Sequence, residues 1–131
     1  MILVDSSVWI DYFHGVGNPP ANYLYDKLGR EVFVTGDLIM LEVLQGFGPD
    51  KDYATGRKIM GSLPCFNLCG REIAITASGN YRKLRKKGVT IRKTIDMVIA
   101  TFCIENKIRL LHNDKDFLPL QEFAGLKAII F

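Results

Sequence analysis

Short, wholly apolar runs alternate along this chain with longer segments of helical periodicity. Ile2-Leu3-Val4 has no polar position, the pattern of a strand covered on both faces. Ser6 or Ser7 then suits an N-cap, opening a helix that reaches about Phe13. Pro19-Pro20 fit the first turn of a second helix running to about Leu28 and stopped by Gly29. Val32-Phe33-Val34 reads as a second strand, and Asp37 as the cap of a helix from Leu38 to Gln45 with Gly46 at its end. Residues 50–62 are predicted helical, and Cys65 to Leu68 a third strand. A long helix from Glu72 to about Lys87 stops at Gly88, and Thr94 caps a strongly apolar helix through about Asn106. Arg109 to His112 gives a fourth strand. Ala128 to Phe131 gives a fifth, after an irregular piece at Pro119.

Strands alternating with helices predict an α/β fold: a three-layer sandwich with a central, mainly parallel sheet of four or five strands flanked by helices. Neither a repeat nor a Gly/Ser linker divides the chain, so one domain over residues 1–131 is expected. In such sheets ligands gather beyond the carboxyl ends of the strands. Asp5 and the segment after His112 fall there.

Composition narrows the class. Hydrophobic residues make up 48% and charged residues 24%, which excludes disordered and collagen-like chains. No apolar run approaches the ~20 residues of a membrane helix, and no secretory leader pattern opens the chain. The three cysteines, Cys65, Cys69 and Cys103, show neither a Cys-x-x-Cys pair nor zinc-like spacing, so free buried thiols and a cytoplasmic location are expected. A net charge of +3 permits an anionic partner without demanding one.

Of fourteen acidic residues, most sit in polar stretches or near helix ends, and Asp11 is expected to face solvent on the first helix. Five resist that reading. Asp5 ends an apolar strand, and Glu42 is the only charge from Leu38 to Leu44. Asp96 is the only charge from Thr94 to Ile104, and Asp114 and Asp116 follow the fourth strand. A carboxylate on an apolar element is costly to bury unless it is paired or binds a metal. No basic residue is built into the same elements. Carboxylates converging there would need a cation, and oxygen ligands favour Mg²⁺ or Mn²⁺. The alternative is that Glu42 points outward from a partly exposed helix while the others cap turns.

The stretch from Val4 to Asp11, Val-Asp-Ser-Ser-Val-Trp-Ile-Asp, resembles the opening motif of PIN-domain proteins. Glu42, Asp96 in Thr-Ile-Asp-Met-Val-Ile-Ala, and Leu111-His112-Asn113-Asp114-Lys115-Asp116-Phe117 are similar to its remaining acidic motifs, in order. Within that family the likeness is to VapC-type toxins of toxin–antitoxin pairs, and it covers the whole chain. The resemblance implies a metal-dependent ribonuclease in which Asp5, Glu42, Asp96 and Asp114 form the acidic quartet. Asp5, Asp96, Asp114 and the outer Asp116 would hold Mg²⁺, with Mn²⁺ as a substitute. Ser7 would hold a carboxylate or a metal-bound water. His112, where threonine is common, would either bond Asp114 or cap the strand end. A metal-activated water as nucleophile implies a 5′-phosphate and a 3′-hydroxyl product. The partners implied are RNA, a VapB-type antitoxin whose tail lies across the helices, and a second copy in a homodimer.

Seven of the seventeen basic residues lie between Arg82 and Lys93. Clustered cations beside an acidic site suit phosphate-backbone contact, so Arg92, Lys93, Arg85 and Lys86 are the candidate RNA-binding residues. Arg82 to Lys87 equally suit a helix end complementing the dipole. Tyr12, Phe13, Tyr23, Tyr25, Phe47 and Tyr53 are expected at the core or its edge, some lining the groove for the partner's helix. Haloacid-dehalogenase chemistry wants Asp-x-Asp, and here Asp5-Ser6-Ser7 stands. A receiver domain wants paired acids after the first strand. A non-catalytic binding module and a housekeeping nuclease of the same fold remain as alternatives.

Overall fold

A computed structural model describes residues 1–131. Its four strands are β1 (Ile2–Val4), β2 (Phe33–Gly36), β3 (Cys65–Phe66) and β4 (Arg109–Leu111), and its helices are α1 (Ser6–Phe13), α2 (Pro19–Lys27), α3 (Asp37–Gln45), α4 (Asp50–Gly61), α5 (Gly70–Lys86), α6 (Thr94–Asn106) and α7 (Leu118–Phe123). The sheet is wholly parallel in the order β3-β2-β1-β4. Parallel neighbours require helical crossovers, which is why each pair of successive strands is separated by two helices. Central β1 is wholly apolar, and its Ile2, Leu3 and Val4, like Leu110 and Leu111 of the neighbouring edge strand β4, are almost wholly buried. Helices α1, α2 and α3 pack together, and α5 packs on α6.

Helix α6 is apolar on all sides because it lies inside: Asp96 to Cys103 are buried without interruption, as expected of a helix with no solvent face. The strand register positions the site. Val4 lies opposite Leu111, and the Asp5 amide donates to the Leu111 carbonyl at 2.9 Å. The chain leaving β1 and the chain leaving β4 therefore run side by side.

Several local expectations change. The fifth strand reduces to one bridge between Ala128 and Leu110, because Ile130 and Phe131 turn outward and are exposed. The piece at Pro119 is a 3₁₀ turn over Lys115–Phe117 followed by α7; proline in a first turn loses no helical bond. Asp5, rather than either serine, caps α1, accepting from the Ser7 amide. Gly36 takes the cap position of α3, so Asp37 is its first residue. A Cβ on Gly36 would lie 2.2 Å from the Leu68 side chain, so the close approach excludes any larger residue. The Asp37 carboxylate instead bonds the Leu38 and Leu68 amides. Lys93 holds the cap position before α6, and Thr94 makes no capping bond. All three thiols are free, but only Cys103 is buried. No helix is long and apolar enough to cross a membrane.

Candidate active site

Asp5, Glu42, Asp96, Asp114 and Asp116 come from four separate places: the end of β1, mid-α3, the first turn of α6 and the turn after β4. Asp96, Asp114 and Asp116 each place a carboxylate oxygen within 4.8 Å of the others. Asp5 is a neighbour rather than a member of that trio. It is buried, its charge presses on Glu42 and Asp96, and the Asp114 charge presses on it.

The inner carboxylates are poorly satisfied. Burial pushes Asp96 up to about 7, with the Asp5 charge adding to it. Burial raises Glu42 too, again with Asp5 behind it. Asp5 is raised by burial although Ser7 pulls it back through two hydrogen bonds. One oxygen each of Asp96 (Oδ2) and Glu42 (Oε1) is buried with no hydrogen-bond partner. Buried polar atoms are almost always paired; Trp9 Nε1 and Thr35 Oγ1 are unpartnered too, but only Asp96 and Glu42 offer a carboxylate oxygen. Oxygen-only donors on several carboxylates fit a hard divalent cation.

The outer carboxylates already have cations, supplied by residues just before α6 rather than from within the elements that carry the acids. Lys93 Nζ donates to Asp114 Oδ2 at 3.1 Å and lies 4.0 Å from Asp116 Oδ2. Arg92 Nη2 lies 3.3 Å from Asp116 Oδ1. Burial alone would raise Asp114, but the Asp116 amide and Lys93 together hold it below the usual carboxylate range. Arg85 donates to the Tyr81 hydroxyl, and neither Arg85 nor Lys86 contacts the acids. Both lie in the last turn of α5, where cations complement the helix dipole.

Ser7 holds a carboxylate: its hydroxyl donates to Asp5 Oδ2 at 2.6 Å and its oxygen accepts from the Asn113 amide at 3.1 Å. His112 Nδ1 accepts from the Asp114 amide at 3.2 Å, and Nε2 lies 2.6 Å from Gln121 Oε1. A backbone N–H can only donate, so the proton sits on Nε2 and points to Gln121.

Asp11, expected to face solvent, is half-buried and engaged in hydrogen bonds. Its Oδ2 accepts from Asn113 Nδ2 at 3.2 Å and from Asn18 Nδ2 at 2.9 Å. It ties the turn after β4 to α1 and to the start of α2. Asp11, Asn18, Asn113 and Gln121 are absent from the residues singled out by sequence. Asp11 and Asn113 do fall inside the motifs quoted above, whereas nothing in the sequence marks Asn18 or Gln121. The aromatic residues Trp9, Tyr12, Phe13 and Phe47 pack together edge to face or stacked, while Tyr25 is 73% exposed.

Residues 2–122 match the family model of the PIN domain. The chain belongs to the PIN-domain family. Ribonuclease VapC11 of Mycobacterium tuberculosis is 31% identical over all of this chain and 99% of its own length, which places the chain on the VapC side of that family. Among solved structures, VapBC2 from Rickettsia felis, bound to a DNA fragment from its promoter, aligns with a TM-score of 0.75 at 15% identity over 100% of this chain and 99% of the other. VapC20 of Mycobacterium tuberculosis, a sarcin–ricin loop cleaving toxin, aligns with a TM-score of 0.68 at 16% identity over 96% of each chain. At those identities the two structures speak to the fold.

Proposed function

We propose that this PIN-domain chain is a metal-dependent endoribonuclease, the toxin of a toxin–antitoxin pair, acting in the cytoplasm to block translation and growth. The observation that carries the reading is the orphaned, buried oxygen of Asp96, beside two further carboxylates and next to Asp5 and Glu42. The nuclease chemistry is further supported by full-length likeness to a named ribonuclease. The pairing with a VapB-type antitoxin is supported by the VapBC assembly that shares the fold.

Asp5, Asp96, Asp114 and Asp116 would hold Mg²⁺ or Mn²⁺, with Glu42 closing the inner wall. When bound, such an ion supplies a water of lowered pKa and offsets charge on the phosphoryl oxygens. The chain's own residues do the positioning. Ser7 fixes Asp5 at the carboxyl end of β1, and the His112 ring fixes the Asp114 amide and hence the turn that carries both outer acids. Burial of Asp96 in an apolar helix keeps bulk water off the inner wall. Arg92 and Lys93, both exposed at the rim, are placed to meet an RNA phosphate, while Arg85 and Lys86 extend the positive surface along α5.

Cleavage of total cellular RNA in Mg²⁺ or Mn²⁺, with an EDTA control and the Asp5→Asn variant, tests the reading. Asparagine preserves the α1 cap, so the variant should fold. Discrete fragments ending in 5′-phosphate, lost with EDTA and with the variant, are expected. Folded, antitoxin-free chain that cleaves none of these RNAs would turn the reading to a non-catalytic binding module, and cyclic-phosphate ends would exclude a water nucleophile.

A further inference from the structure

We propose that Lys93 is a built-in stand-in cation: its ammonium occupies the outer carboxylates while no divalent ion is bound, and the ion must displace it. The inference rests on the metal-site reading above and concerns how that site is regulated. Lys93 lies three residues before Asp96, in extended backbone at the entry to α6. From there Nζ reaches back over the site, 3.1 Å from Asp114 Oδ2 and 4.0 Å from Asp116 Oδ2. Those two acids, with Asp96, form the cluster whose oxygens converge within 4.8 Å. Asp114 Oδ1 is engaged by the Asp116 amide, which leaves Oδ2, whose hydrogen-bond partner is Lys93, as the oxygen both cations would use.

The ammonium is an incomplete substitute. It bonds none of the inner oxygens, and Asp96 Oδ2 and Glu42 Oε1 stay unpartnered with Lys93 in place. A divalent ion carries twice the charge and takes six or more oxygen ligands, so it can satisfy atoms that Lys93 leaves exposed to mutual repulsion. Displacement is also easy. The Lys93 side chain is 59% exposed, and an ion pair that open to water is weak. Once two positive charges compete for the same rim, repulsion drives the ammonium outward on its flexible stem. Arg92, paired to Asp116 and 81% exposed, stands in the same position one residue earlier.

Calorimetric titration of Mn²⁺ into the folded wild-type chain, Lys93→Met and Lys93→Arg tests this without any turnover. Lys93→Met should bind Mn²⁺ roughly three- to tenfold tighter at low salt, the scale of a partly exposed charge pair, and the gain should shrink as salt rises. Lys93→Arg should bind as wild type does. In a second measurement, acetylation of Lys93 mapped by mass spectrometry should be slow in EDTA and several-fold faster with Mn²⁺. Equal or weaker Mn²⁺ binding by Lys93→Met, or Lys93 reactivity indifferent to Mn²⁺, overturns the stand-in role while leaving the metal site intact. Failure of every variant, wild type included, to bind Mn²⁺ overturns the metal-site reading and this inference with it.

Discussion

The inner and outer halves of the site use the same side chain in opposite electrostatic states. Asp96, Glu42 and Asp5 on the inner wall are raised first by burial, with the Asp5 charge adding to Asp96 and Glu42 and the Asp114 charge adding to Asp5. Asp114 on the rim is held low by an amide and a lysine. Only a few ångströms separate Asp96 from Asp114. Desolvation penalises the charged form on the inner side, whereas fixed donors and a cation favour it on the outer. The rim is thus complete as folded, and the inner wall is not. Under the proposed metal-site reading, the unpartnered inner oxygens are the ones a cation from solution would satisfy.

The largest test of that contrast removes the inner charge. Asp96→Asn should lower RNA cleavage by at least about a hundredfold, since even outer partners of a metal site are worth 10–100-fold. In EDTA at pH 8 it should nevertheless raise the melting temperature, because asparagine cannot ionise. Destabilisation by Asp96→Asn, read by thermal denaturation, would mean that the inner wall is already satisfied.

The pH dependence of the metal-free chain should follow the same asymmetry. Asp96 keeps its proton up to about 7 when folded, against an ordinary value of 3.8. Between those values the folded chain binds more protons than the unfolded one, so stability falls as pH rises. The raised values of Asp5 and Glu42 act in the same direction, and the lowered Asp114 opposes them. Denaturant titrations in EDTA from pH 4 to pH 7.5 should show a loss on the order of 2 kcal/mol, allowing for solvent at the mouth of the site. Asp96→Asn should flatten that slope, and a slope of opposite sign would assign the dominant titration to the rim.

The smallest effect concerns the tie between the two halves. Asp11→Ala removes the acceptor for Asn113 and Asn18 and should cost about 1–2 kcal/mol in denaturant unfolding. Activity should fall about tenfold through the misplaced turn after β4, because second-layer partners orient the ligands. A stability loss with unchanged cleavage would make Asp11 a fold residue alone.

Much of this was legible before any coordinates. The helices through α6 and the four strands follow from runs of apolar residues and from proline and glycine stops, since burial and backbone freedom are local properties of residue type. The five unusual acids were legible for the same reason: a lone carboxylate in Leu-Ile-Met-Leu-Glu-Val-Leu is costly wherever that helix packs. The short-range errors had a cause as well. Serine and aspartate cap helices equally well, and only the extended backbone at Asp5 decides in its favour.

The sequence by itself determined which elements form and which carboxylates are out of place, because hydrophobic period and the cost of burying charge are written residue by residue. Tertiary structure alone decided who meets whom. Lys93 and Asp114 are 21 residues apart, and Asn113 finds Asp11 across 102. Those meetings depend on the register that sets Val4 beside Leu111. A register is a property of the packed sheet, fixed by the summed burial of both strands, and no single stretch of chain contains it.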